Sequence, residues 1–233
     1  MPETRPDVLF FDAGGTLLHL DYHAIGEICF AADERPDDDA LGRAEHAARV
    51  DIDRTFRSGV RSTDSTRVVA YFETILQHLG VHDDAVGAMR DRIVERHRQG
   101  NLWTRVLNGT DATLDRLLSD GYRLAVISNA DGRVRELFRT AGLLDRFEVV
   151  IDSHELGIEK PDPRIFVHAC DVMKTTPERS LYIGDIYEID VVGARAARMP
   201  VVLIDALDAH TDADVPRMQS VLELPQLLRS ILD

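Results

Sequence analysis

The sequence predicts an α/β fold in which helices flank a parallel sheet, together with a small all-helical insert. Five short apolar runs each end in polar or glycine-rich residues, as buried parallel strands do. Helical patterns alternate with these runs from about residue 105 onward, which is typical of an open α/β sheet. The five predicted strands are residues 8–11, 124–127, 149–151, 181–183 and 201–204.

The region between residues 20 and 100 breaks this alternation, because it contains no good strand run. It has long charged helical patterns near residues 23–32, 40–58, 64–79 and 83–98, with glycines at the expected helix ends. We therefore predict a core formed by residues 1–19 and 101–233. Residues 20–100 are predicted to form a helical cap that lies over the strand ends.

Composition and charge exclude several classes of partner. The 233 residues include 27 Lys and Arg against 41 Asp and Glu, a formal charge of −14. An acidic protein is a poor partner for nucleic acid or for an anionic membrane. No stretch approaches the roughly 18 apolar residues that a membrane span needs, and the first residues carry no apolar signal segment. Cys29 and Cys170 fit no metal or disulfide spacing, so we expect buried thiols and a cytoplasmic protein.

Polar side chains gather at the predicted strand ends, where open α/β sheets bind their ligands. Carboxylates alone would repel a phosphate, whereas a divalent cation between them would hold one, and a lysine would neutralise further charge. The residues expected at this edge are Asp12, Thr16, Ser128, Asn129, Lys160, Asp185 and Asp190.

Four motifs carry a family resemblance. They are Phe-Asp-Ala-Gly-Gly-Thr-Leu at residues 11–17, Val-Ile-Ser-Asn at 126–129, Glu-Lys-Pro-Asp-Pro at 159–163 and Ile-Gly-Asp-Ile-Tyr-Glu-Ile-Asp at 183–190. Because the four motifs occur in this order and at these positions, the chain resembles the haloacid dehalogenase (HAD) superfamily of hydrolases over nearly its whole length. The resemblance implies a Rossmann-like core, and the helical insert is similar to the first type of cap in that superfamily.

The resemblance also implies roles for individual residues. Asp12 is expected to be the nucleophile that forms an aspartyl-phosphate, and to bind Mg²⁺. Asp185 and the backbone carbonyl of Gly14 are expected to be further metal ligands. The implied reaction is Mg²⁺-dependent hydrolysis of a small phosphorylated metabolite, with covalent catalysis, positioning and charge neutralisation as its main contributions.

The remaining motif residues are expected to bind the substrate or to support the metal. Ser128 and Lys160 would hold the phosphoryl oxygens, and Thr16 and Asn129 would bind the substrate, Asn129 through its backbone N–H. Asp190 would support the metal site and its waters; alternatively, it caps the helix that follows it.

The first motif departs from most phosphatases of this superfamily, which have a second Asp two residues after the nucleophile. That Asp protonates the leaving group and then activates water, and here its position is Gly14. Loss of a general acid–base residue commonly lowers the rate by roughly 10²–10⁴-fold. Either the substrates have good leaving groups, or another residue such as His19 or His23 supplies the proton, or turnover is very slow.

Two other functions stay open. A 2-haloacid dehalogenase also lacks an acid at the position of Gly14, uses no metal, and needs a cap arginine such as Arg43 or Arg49. Against it, its family pattern has a tyrosine at that position, and motif four is similar to a metal site. A protein that retains the fold but serves binding is the second alternative. A phosphonatase would need a lysine from the cap to form a Schiff base. It is disfavoured, because residues 20–100 contain no lysine. The sequence predicts neither the substrate nor the oligomeric state.

Overall fold

The computed structural model describes residues 5–59 and 64–232 and divides the chain into two compact units. One unit runs up to His19 and continues from Arg105 onward, and the other is Leu20–Thr104. The sequence predicts that the helical insert ends at residue 100, and in the structure the second unit ends at Thr104. The role of the second unit as a cap stays a prediction.

The first unit is built on one six-stranded sheet whose described strand pairs are all parallel. The predicted α/β fold, a parallel sheet flanked by helices, is confirmed. The strands are β1 (Val8–Phe11), β4 (Arg123–Ser128), β5 (Val149–Asp152), β6 (Ser180–Gly184), β7 (Val201–Ile204) and β8 (Arg217–Met218). Their order in the sheet is β5-β4-β1-β6-β7-β8. The helices are α5 (Thr110–Ser119), α6 (Val134–Thr140), α7 (Ser153–Leu156), α8 (Pro163–Met173), α9 (Val192–Ala196) and α10 (Leu224–Leu232).

Strand β1 lies at the centre of the sheet and determines where the motifs meet. Its residues pair with Arg123–Val126 of β4 on one side and with Ser180–Ile183 of β6 on the other. All four β1 side chains are fully buried, which explains the continuous apolar run. Because the three strands are parallel and in this register, their carboxyl ends meet at one edge of the sheet.

Local sequence signals explain where helix α8 begins. The side chain of Asp162 accepts a hydrogen bond from the backbone N–H of Arg164, and Pro163 occupies the first helical turn. This cap fixes the direction in which the chain leaves the loop that contains Lys160. Helix α8 packs its buried face, which includes Ile165 and Phe166, into the core on one side of the sheet.

Very short elements were not predicted. Strands β2 (His19–Leu20) and β3 (Trp103–Arg105) pair with each other in a separate two-stranded sheet, and β8 extends the edge of the main sheet. Two or three residues carry no recognisable hydrophobic period, so tertiary pairing alone defines these strands.

The second unit is helical, with four described helices around their own core. They are α1 (Tyr22–Cys29), α2 (Asp38–Arg57), α3 (Asp64–His78) and α4 (Asp83–Gln99). Within the described part of the chain, none of the helices is both long and apolar enough to cross a membrane. Cys29 in this unit and Cys170 in α8 are buried free thiols.

A buried carboxylate forms the centre of a polar cluster inside this unit. Glu45 is fully buried, accepts a hydrogen bond from the Tyr71 hydroxyl at 2.9 Å and pairs with Arg49 at 2.9 Å. It also accepts a hydrogen bond from the Tyr22 hydroxyl. Burial alone would raise the pKa of Glu45, but the charge of Arg49 and these hydrogen bonds outweigh burial and hold the pKa below its usual value.

Replacement of Glu45 by Ala should strongly destabilise the helical unit. The substitution leaves the largely buried charge of Arg49 without its carboxylate partner in this cluster, and such losses typically cost about 3–5 kcal/mol of unfolding free energy. Urea unfolding followed by circular dichroism at pH 7 would measure the difference.

The matched control for this change is Glu95→Ala. Glu95 is also a helical glutamate paired with an arginine, Arg98, but both side chains are exposed, so a change of at most about 1 kcal/mol is expected. Because the pKa of Glu45 is lowered in the folded state, its contribution is present above the unfolded pKa and decreases as the pH falls through the folded one. The difference between wild type and Glu45→Ala should therefore shrink below about pH 4. Equal stability of the two proteins at pH 7 would contradict this account.

Candidate active site

The polar residues of the four motifs lie together at the carboxyl edge of the sheet. Asp12 directly follows β1, Ser128 ends β4 and Asp185 directly follows β6. Lys160 reaches the same place from the loop that precedes α8, 30 residues before Asp190 in the chain. Four of the predicted charged residues, Asp12, Lys160, Asp185 and Asp190, are all buried there.

Lys160 connects the charged groups of the site. Its ammonium donates hydrogen bonds to Asp12 Oδ1 at 2.6 Å, to Asp190 Oδ1 at 2.8 Å and to the Tyr182 hydroxyl at 2.8 Å. A lysine ammonium has three donors, so these contacts use all of them. The side chain of Lys160 is only 2% exposed, and its position is therefore defined by two carboxylates and a hydroxyl.

The protonation equilibria of this cluster follow from burial and from neighbouring charges. Burial raises the pKa of Asp12 to about 6, the charge of Lys160 opposes this shift, and the charge of Asp190 adds to it. Burial alone would lower the pKa of Lys160, but Asp12 and Asp190 outweigh it and the pKa lies above its usual value. At neutral pH, Asp12 is therefore an ionised carboxylate beside a charged lysine.

Asp190 is fully engaged by hydrogen bonds. Its Oδ1 accepts from Lys160 and from the Tyr182 hydroxyl, and its Oδ2 accepts from the backbone N–H groups of Asp185 and Ile186 at 3.1 and 3.0 Å. A carboxylate offers about four acceptor sites, so Asp190 has none to spare. Its side chain thus holds both Lys160 and the turn that carries Asp185.

Local backbone geometry makes these contacts of Asp190 possible. The residue lies in a π-helical turn, Tyr187–Val191, which continues directly into α9. The alternative that Asp190 caps the following helix is wrong, because α9 has no side-chain cap and Asp190 bonds to backbone groups that precede it. A Cβ atom at Gly184 would lie 2.4 Å from Asp190 Cγ, so this glycine makes room for the carboxylate.

The residues present fit a bound divalent cation. One oxygen each from Asp12, Asp185 and Asp190 lies within 4.8 Å of the others. With all groups ionised, three carboxylates and one ammonium leave two negative charges uncompensated, which a divalent cation would neutralise. Thr16 belongs to the first motif, and its buried Oγ1 has no hydrogen-bond partner among the described residues, which also suits a polar ligand.

The first motif forms a tight turn after Asp12. The backbone N–H groups of Leu17 and Leu18 both donate to the Ala13 carbonyl, and Gly15 donates to Leu18. Gly15 needs glycine, since its φ is 78°. Gly14 lies in the same turn and carries no side chain, so the first motif places no second carboxylate two residues after Asp12.

The other predicted residues differ in how they relate to the charged cluster. The Ser128 hydroxyl is buried, and its recorded contact is a long 3.5 Å approach to the Asn129 carbonyl. The side chain of Asn129 binds the backbone of Lys160.

Two residues considered in the helical unit have partners of their own. His23 is 72% exposed and pairs with Glu27 on its own helix. Arg49, considered above as a dehalogenase arginine, is bound to the buried Glu45.

Tyr182 is the site residue that the sequence analysis missed. It lies in β6 with a fully buried ring, and its hydroxyl contacts Lys160 and Asp190. Burial, followed by the negative charges of the surrounding carboxylates, raises the pKa of Tyr182 well above its usual value. The hydroxyl therefore stays protonated. The available signal was a hydroxyl-bearing aromatic residue between Leu181 and Ile183.

Comparison with known proteins identifies the family. Residues 6–198 match the family described as haloacid dehalogenase-like hydrolase, and the chain belongs to that family. The magnesium-bound HAD-hydrolase YfnB from Bacillus subtilis superposes with a TM-score of 0.66 at 18% identity, covering 97% of this chain and all of that one. At this identity the likeness shows the fold alone.

Two curated relatives give the similarity at the sequence level. The chain is 34% identical over 156 residues to haloacid dehalogenase-like hydrolase domain-containing protein 3 of Bos taurus, covering 65% of this chain and 62% of that protein. It is 32% identical over 145 residues to a phosphoglycolate phosphatase of Nitrosospira multiformis, covering 58% and 63%. The matches thus span less than two thirds of the length of these relatives.

Proposed function

We propose that the protein is a Mg²⁺-dependent phosphatase of small phosphorylated metabolites that forms an aspartyl-phosphate on Asp12. The observation that carries the proposal is the buried cluster of Asp12, Lys160 and Asp185 at the carboxyl edge of the sheet. The phosphatase activity named for the relative in Nitrosospira multiformis supports the same class of substrate.

In this proposal each residue of the cluster has a distinct task. Asp12 attacks the phosphorus as the bond to the leaving-group oxygen breaks and that oxygen keeps the electron pair, and water then hydrolyses the aspartyl-phosphate to release phosphate. Lys160 keeps the Asp12 carboxylate ionised and oriented through the 2.6 Å hydrogen bond to Oδ1. Asp12, Asp185 and the Gly14 carbonyl would hold Mg²⁺, which neutralises phosphoryl charge when bound. Because the acceptor sites of Asp190 are filled, we assign it to positioning Lys160 and the Asp185 turn instead of direct ligation.

Substrate contacts complete the assignment. Ser128 and the buried Thr16 are proposed to bind the phosphoryl oxygens, together with the backbone N–H of Asn129. Since Gly14 offers no acid, the protein should favour substrates whose leaving groups depart without a proton, such as acyl and aryl phosphates.

The decisive assay measures phosphate release from p-nitrophenyl phosphate and acetyl phosphate, with Mg²⁺ and with excess chelator. We expect release with Mg²⁺ and at least about a 10²-fold decrease with chelator, because carboxylates and phosphate repel one another without the cation. A parallel assay measures halide release from 2-haloacids without metal.

The alternatives make opposite predictions in these assays. Halide release that chelator leaves unchanged would identify a 2-haloacid dehalogenase and overturn the phosphatase proposal. The pairing of Arg49 with the buried Glu45 argues against Arg49, one of the two arginines considered for that chemistry. Absence of turnover on every substrate would favour a binding role for the fold.

A further inference from the structure

We propose that the side chain of Asn129 is a positioning residue for Lys160, an inference that rests on the proposed function. Asn129 Nδ2 donates to the Lys160 carbonyl at 2.9 Å, and the Lys160 N–H donates to Asn129 Oδ1 at 2.8 Å. A single side chain thus satisfies both backbone polar groups of the lysine. These two residues lie 31 positions apart in the chain, so this clamp joins motif two to motif three.

The chemistry of the clamp requires a carboxamide. Lys160 presents one donor and one acceptor on its backbone, and the Asn side chain presents the complementary acceptor and donor. Aspartate could accept from the N–H but could not donate to the carbonyl. Serine has only one polar side-chain atom, so it could not contact the Lys160 N–H and carbonyl through two separate atoms. Asparagine at this position is therefore suited to hold the backbone of Lys160 and not merely to end a strand.

The Asn129 end of the clamp is itself held in place. The preceding residue, Ser128, is paired in the sheet with Asp152. The N–H of Ala130, which follows Asn129, donates to the Ser153 hydroxyl at 3.2 Å. The carboxamide therefore extends from a backbone segment whose flanking residues are held by β5 and by Ser153 at the start of α7.

The clamp determines where the Lys160 ammonium can be. A lysine side chain has several rotatable bonds, so its ammonium is well placed only when both ends are held. Asp12, Asp190 and Tyr182 hold the ammonium, and Asn129 holds the backbone. A shift of the Lys160 backbone would be transmitted to Asp12 Oδ1, the oxygen to which the ammonium is bonded. Asn129 would in this way influence the nucleophile without its side chain touching the substrate.

The sequence contains a built-in reference for testing this inference, because it has only two lysines, Lys160 and Lys174. Lys160 is buried, whereas Lys174 is exposed at the end of α8. Pulse acetylation followed by mass spectrometry measures the modification of both lysines in the same molecule. In the wild type we expect Lys174 to react fast and Lys160 slowly.

Removal of the clamp should expose Lys160 selectively. Loss of two hydrogen bonds in Asn129→Ala should raise the ratio of Lys160 to Lys174 acetylation by about 10-fold or more. Asn129→Asp, which retains only the acceptor, should give an intermediate ratio. Asn108→Ala, at an exposed asparagine elsewhere in the same unit, should leave the ratio unchanged. An unchanged ratio in Asn129→Ala would overturn the proposal.

Kinetics separate positioning from substrate binding. With p-nitrophenyl phosphate, Asn129→Ala should lower kcat by about 10²-fold while KM changes much less, because misplacement of a catalytic group acts on the reaction step. In a Lys160→Ala background the same substitution should add little further loss, since its effect passes through the lysine. A full additional loss in that background, or a wild-type kcat in Asn129→Ala, would overturn the inference. Absence of turnover in the wild type would instead refute the proposed function, and the acetylation ratio would still decide whether the clamp exists.

Discussion

Asp12→Asn is expected to abolish phosphate release, with a decrease in kcat of at least about 10⁴-fold, as for removal of other covalent nucleophiles. The substitution preserves the size of the side chain but removes the charge and the nucleophilic oxygen. In the structure, Asp12 directly follows the central strand, and its Oδ1 accepts a hydrogen bond from Lys160. Initial rates with p-nitrophenyl phosphate and Mg²⁺ would measure the effect.

The control for Asp12→Asn is the same chemical change at an exposed carboxylate. Asp212→Asn lies in a surface loop after β7 and should retain the wild-type rate. Circular dichroism and urea unfolding would establish that both variants fold. Retention of more than about a hundredth of the activity by folded Asp12→Asn would show that another group performs the chemistry, and would refute the aspartyl-phosphate.

Gly14→Asp is expected to increase the activity on alkyl phosphates, whose leaving groups need a proton. A positioned general acid contributes roughly 10²–10⁴-fold, and this is the increase in kcat/KM that we expect for alkyl phosphates. The backbone allows the change, because Gly14 is not among the described glycines with positive φ, whereas its neighbour Gly15 is. The increase should be much smaller for p-nitrophenyl phosphate, since nitrophenolate leaves without protonation.

Gly14→Asn provides the matched control, because it adds nearly the same side chain without a group that can donate and accept the proton. Only the aspartate variant should gain activity on alkyl phosphates, and the ratio of alkyl to aryl activity would display the gain. A wild type that already hydrolyses alkyl and aryl phosphates equally well would mean that another residue supplies the proton. In that case, Gly14→Asp should bring no gain.

Much of the fold could be predicted because the signals were local. Residues 8–11 and 201–204 are continuous apolar runs, and the structure places strands at the same residues. Burial on both faces demands such runs, so one-dimensional pattern and three-dimensional environment agree. By contrast, β8 consists of two residues and exists only because the edge of β7 offers hydrogen bonds to it. No local pattern could have indicated it.

The candidate site was predictable to a different degree. The motifs placed Asp12, Lys160, Asp185 and Asp190 at one edge of the sheet, and the structure brings these four residues together. Tyr182 was read only as a strand residue, because the direction of its hydroxyl depends on which loop packs above β6. The filled acceptor sites of Asp190 could not be predicted either, since two of its four partners are backbone N–H groups that precede the π-helical turn in which Asp190 lies.

The sequence by itself therefore determined the parallel sheet, the helical insert and the identities of the charged residues, because short apolar runs and strand-end motifs are properties of contiguous residues. Only the tertiary structure decided how those residues share their hydrogen bonds. Asn129 and Lys160 are distant in the chain, and their reciprocal contact follows from the packing of the motif-three loop against the end of β4. A polar side chain has only a few donor and acceptor sites but many potential hydrogen-bond partners in the chain. Which partners it bonds depends on distances that only the folded chain defines.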